Sequence, residues 1–174
     1  TEKNSLISKF LNHFLVAHGH DIALAPPANL KQIRDRRVKT ILALQAESET
    51  LCAAAFMDET DSIVRFSPDT AAALNRENMA LLNAAQAGHD TPVEPRGTPT
   101  RTDNQALVKI LQKNGLTPEL QAVMADEQSL YEAPPHDQCT LAVLIDRGIT
   151  EVQDDIAERF TSRVYDTYTD AKTH

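Results

Sequence analysis

The chain is poor in glycine and in aromatic rings: its 174 residues include five Gly, three Tyr, five Phe and no Trp. Phosphate-binding turns need glycine where the backbone meets the ligand. Neither G-x-G-x-x-G nor G-x-x-x-x-G-K-S/T occurs, so dinucleotide-binding and P-loop enzymes are not expected. No apolar run approaches the ~18–20 residues of a membrane-spanning helix. Cysteine is scarce too. Cys52 and Cys139 form no C-x-x-C and no zinc-finger spacing with His.

Positive charge is lacking in the second half. Overall, 17 Lys+Arg stand against 25 Asp+Glu, a net charge of −8. Residues 117–174 hold 4 basic and 12 acidic side chains, whereas residues 1–50 hold 7 and 5. A surface this acidic repels a phosphate backbone, which argues against general nucleic-acid binding. The exception is the run Lys31, Arg34, Arg36, Arg37, Lys39. It reads either as a solvated helix face or as a contact for an acidic partner or anionic lipid headgroups.

What is present in quantity is Ala, Leu, Gln and Glu, the composition of helices. Leu6, Ile7, Phe10, Leu11, Phe14 and Leu15 recur at helical spacing, ending at Gly19. Pro26-Pro27 breaks the chain, and a second helix is expected over about 28–46, burying Leu30, Ile33, Ile41, Leu42 and Leu44. Ser67-Pro68-Asp69 is a helix start, for a helix ending at Gly88 with Leu74, Leu81 and Leu82 inward. Residues 62–66 have strand character but no partner strand, and read as an extended connector.

Residues 88–102 carry three Pro and two Gly and read as a linker or long surface loop. Beyond it, Asp103 is expected to cap a helix ending at Gly115, and Thr117-Pro118-Glu119 starts another. Cys139–Arg147 reads as a buried helix closed by Gly148. Thr150 with Gln153 suggests a capping box for a last helix bearing Val152, Ile156, Phe160, Val164 and Tyr168. The expected fold is all-α, about seven helices in an irregular bundle. Its organisation is an N-terminal lobe (1–87), the linker (88–102) and a C-terminal lobe (103–174), which can share one core.

Chemistry is thinly marked. His13, His18, His20 and Asp21 form the one candidate metal cluster, imidazole being a common ligand; a helix C-terminus that favours His explains the same residues. His-Asp dipeptides occur at His20, His89 and His136. In an all-α chain they resemble the ligand pairs of HD-type metal phosphohydrolases. That family has an earlier His well upstream of its pair, and only nineteen residues precede His20. Cys52 and Cys139 read as a reduced buried pair, a disulfide or, least supported, a catalytic thiol. As a disulfide they close a loop of 87 residues.

The expectation is therefore a non-catalytic helical interaction domain that binds a protein partner or self-associates, with no cofactor. Leu6, Phe10 and Phe14 supply its apolar surface and Lys31, Arg34 and Arg37 its basic one. A start at Thr rather than Met fits a cleaved leader or a piece of a longer chain. It suits the soluble part of an exported or membrane-anchored bacterial protein, periplasmic or extracellular, the alternative being cytoplasmic. The competing expectation is a metal-dependent hydrolase built on His13, His18, His20 and Asp21.

Overall fold

A computed structural model describes residues 2–57 and 65–170, with side chains from Phe10 to Thr169. Among them are nine helices and no strand: α1 (Glu2–Ala23), α2 (Pro27–Glu47), α3 (Glu49–Phe56), α4 (Pro68–Asp90), α5 (Arg101–Lys113), α6 (Pro118–Ala125), α7 (Glu127–Glu132), α8 (Pro135–Glu151) and α9 (Asp154–Asp170). The expected all-α class holds, with more helices than the seven expected. Part of the surplus is α7, whose six residues are too few to show periodicity; Asp126 caps it by accepting from the Ser129 N–H at 2.7 Å. No helix is long and apolar enough to cross a membrane among these residues. Most of the expected connector at 62–66 lies outside the described residues, although Phe66 packs beside Cys52 and Cys139.

Proline starts α2, α4, α6 and α8, where its missing N–H costs no helical hydrogen bond. Ser67 and Thr117 cap α4 and α6 as the sequence suggests, accepting from the N–H of Thr70 and Leu120. Two expected starts move. Thr100 is the N-cap of α5 and Asp103 is its capping-box partner, each side chain accepting from the other's backbone. Thr150 caps nothing: its hydroxyl donates to the Arg147 carbonyl at 2.7 Å, within α8.

Gly19, Gly88 and Gly148 end no helix; each lies inside one, at a close approach. A Cβ on Gly19 would collide with the Tyr165 carbonyl of α9, and one on Gly88 with the Asp21 carbonyl of α1. At Gly148 it would meet the Leu111 side chain of α5. Of the expected glycine stops, Gly115 does follow a helix end, with φ of 110°.

The central element is α2, which packs on α3, α4, α8 and α9, while α1 lies against α4 and α9. The halves on either side of residues 88–102 thus interleave. Leu30, Ile33, Ile41 and Leu44 of α2 are fully enclosed, each contributing about 1.5–3 kcal/mol by burial. Leu42, Leu82 and Val164, expected inward, are 38%, 37% and 50% exposed, because each falls off its helix's inward stripe. Segment 91–100 is not a free linker. The Val93 N–H donates to the Leu24 carbonyl, and Arg96 donates to the carbonyls of Ala23 and Ala25 and to Glu158 at 2.7–2.9 Å. A nearly buried guanidinium here supplies donors to the end of α1, which has carbonyls to spare.

Candidate functional site

The inward stripe of α2 reads Leu30, Ile33, Arg34, Arg37, Ile41, Leu44, so two cations ride on the core face at helical spacing. Both turn in. Arg34 is buried, and its Nη1 donates to Thr161 Oγ1 at 3.4 Å. Arg37 Nε donates to Asp146 Oδ2 of α8 at 3.1 Å, while Nη1 lies 3.6 Å from Glu77 Oε1 of α4. Tyr165 of α9 is buried beside them. Glu77 Oε2 is buried with no hydrogen-bond partner.

One guanidinium thus lies between two carboxylates, Glu77 buried and Asp146 one-fifth exposed. Burial pushes the Asp146 carboxyl above its ordinary pKa; Arg37 pulls it back and Glu77 adds to the rise. Burial likewise raises the Tyr165 phenol, with Glu77 reinforcing it. For Arg37 burial opposes the charge, but Glu77 and Asp146 outweigh it and hold the pKa above the ordinary value. Chemically this is a largely buried ion cluster drawn from α2, α4, α8 and α9. Sequence reading missed Glu77 and Asp146, although both repeat at helical spacing with buried neighbours, Ala84 and Gly88 for one and Cys139 and Ala142 for the other.

The basic surface expected from Lys31, Arg34 and Arg37 is thereby corrected. Lys31 alone is exposed, and it pairs with Asp35 at 2.8 Å. Nor do His13, His18 and His20 gather on Asp21: of the three, His18 alone pairs with it. His18 Nδ1 lies 3.1 Å from Asp21, and His20 reaches across to Asp166 of α9 at 2.9 Å; His13 is exposed. His89 comes within 3.9 Å of Asp21, while His136 pairs with Glu49 at 2.9 Å. Because α1 continues through Gly19, His18 and His20 point in different directions. Among the described residues no three His, Cys, Asp or Glu side chains are grouped to hold a metal ion.

The cysteines form a disulfide joining α3 to α8, enclosed by Ile41, Leu44 and Ala142. Of the expected apolar surface, Phe14 packs against the core, and Phe10 stacks on it at 6.4 Å with 60% of its own surface exposed. The Leu6 side chain lies outside the described residues.

The molecule is thus an all-α bundle bridged by one disulfide around a buried charge cluster. No protein-family model, curated protein or solved structure matches the chain.

Proposed function

We propose that this chain is a helical interaction domain that engages a protein partner or a second copy through the N-terminal part of α1. The observation behind this reading is Phe10. Its ring continues the apolar stripe that Phe14 and Leu15 pack against the core cluster of Ile22, Leu30 and Tyr165, yet it faces solvent. Contact surfaces are contiguous apolar patches, and Phe10, stacked on Phe14 at 6.4 Å, extends the buried stripe outward into one. The disulfide suits an oxidising compartment, so the periplasmic or extracellular location belongs to the same reading. The alternative, a metal-dependent hydrolase, has no grouped ligands behind it among the described residues.

The test is sedimentation of the wild type and Phe10→Asp across a concentration series, with cross-linking in the source cells. Association that Phe10→Asp abolishes, with helicity by circular dichroism unchanged, supports the reading. Association and cross-linking that Phe10→Asp leaves untouched overturn it.

A further inference from the structure

Between α2 and α4 the surface carries an open depression of about 240 Å³, lined by Gln32, Arg36, Asn75, Arg76, Met79 and Asn83 over a floor of Ala80. The small floor residue opens the depression between two antiparallel helices. Two guanidiniums and three carboxamides surround it, and no carboxylate does, in a chain whose acids outnumber its bases 25 to 17.

The nearest acids in sequence are both engaged elsewhere. Asp35, beside Arg36, pairs with Lys31 on the neighbouring stripe, and Glu77, beside Arg76, turns inward to Arg37. Among the described residues Arg36 and Arg76 therefore have no acidic partner. Helix geometry explains it. Side chains one residue apart point about 100° apart on a helix, so a sequence neighbour cannot neutralise the groove.

We infer that this groove binds a small dianion, a dicarboxylate or a phosphomonoester, with Arg36 and Arg76 supplying the charge and Gln32, Asn75 and Asn83 the hydrogen bonds. Guanidinium groups match both oxyanions in two-point geometry, and two of them balance a charge of about −2. The amides can serve hydroxyl or carbonyl groups on the body of the ligand, and Met79, 55% exposed, offers it an apolar wall. The site is separate from the Phe10 surface, so either reading can fail alone.

The experiment is an NMR titration of the whole chain with succinate, glycerol phosphate and acetate, in low and physiological salt. The side-chain amide signals of Gln32, Asn75 and Asn83 and the Nε–H signals of Arg36 and Arg76 are followed. Either dianion should shift these signals saturably, at least about tenfold more tightly than acetate. The tighter of the two tells a carboxylate source from a phosphate source. Arg36→Gln and Arg76→Gln should each weaken the binding about tenfold while leaving the fold intact. No shift with either dianion overturns the inference. So do shifts shared equally by the cations of α5, Arg101 and Lys109, or an affinity that neither variant changes.

Discussion

Two Asp–Arg pairs in this molecule have the same chemistry and opposite behaviour. At the start of α5, Asp103 receives Arg159 Nε and Nη2, both at 2.8 Å, and the Thr100 N–H at 2.8 Å. These donors, Arg159 first, hold its carboxyl well below the usual carboxylate range. In the bundle, Asp146 receives one hydrogen bond from Arg37 and faces Glu77, and burial carries its pKa upward. The difference lies in what else surrounds each carboxylate. Asp103 is supplied with donors on every side, whereas Asp146 shares one cation with a second acid. A salt bridge by itself fixes no direction of titration; desolvation and the remaining neighbours decide it.

The largest effect is expected at α8, which carries both Asp146 and Cys139. Reducing the Cys52–Cys139 bridge opens a loop of 87 residues. The expected loss is about 4 kcal/mol, seen as a melting temperature lower by roughly 12 °C. An unchanged melt under reductant would mean that the bridge adds nothing to the packing of α3 on α8.

Next comes removal of each arginine. Arg37→Met leaves Glu77 and Asp146 enclosed without their cation and should cost about 3 kcal/mol, close to the loss for breaking a buried pair. Arg159→Met leaves Asp103 still held by the Thr100 N–H and not sharing its cation with a second buried acid, and should lower the melting temperature by about 3 °C only. Equal losses in thermal melts would erase the distinction between the two pairs.

Acid unfolding sharpens it further. Asp103, with its pKa depressed on folding, adds stability that is present above about pH 4 and is lost as pH falls below that. Asp146 is raised, so its contribution has the other sign: it is greatest below about pH 4 and is lost as pH rises through the folded pKa. Asp103→Asn should therefore flatten the acid limb of a stability–pH curve, and Asp146→Asn should steepen it. Denaturant melts at a series of pH values decide this.

The smallest effect is expected from Glu77→Gln, which removes the like charge and leaves the shape. The Asp146 carboxyl, followed by carbon NMR, should titrate at lower pH than in the wild type, with stability changed by under about 1 kcal/mol. A midpoint that stays in place would show that burial alone raises Asp146.

Much of the fold was legible because helix signals are local. Ser67-Pro68 and Thr117-Pro118 start helices through caps formed within four residues, and Leu30, Ile33, Ile41 and Leu44 show their common face in the spacing. Gly19, Gly88 and Gly148 misled because a glycine suits a helix end and a close helix crossing equally well, and the crossing partner lies up to 146 residues away. The basic run of α2 misled for a related reason. Composition groups Lys31, Arg34, Arg36 and Arg37 as one surface, whereas periodicity assigns Arg34 and Arg37 to the stripe of Leu30 and Ile41. That signal was in the sequence, but the acids that Arg37 meets as it turns inward were not recognisable there.

By itself, then, the sequence determined the helical class, most helix starts, the absence of glycine-rich phosphate loops and the availability of two thiols for one bridge. All of these depend on residues a few positions apart or on composition. Only the tertiary structure decided that the thiols meet, that segment 91–100 is clamped by Arg96, that His20 turns to Asp166 while His89 approaches Asp21, and that Arg37 shares its charge between Glu77 and Asp146. Each of these joins groups at least forty residues apart, or depends on which way one helix faces another. Such distances close only when the apolar stripes of α1, α2, α4, α8 and α9 are buried together, and that burial also sets the solvation on which every charge in the cluster depends.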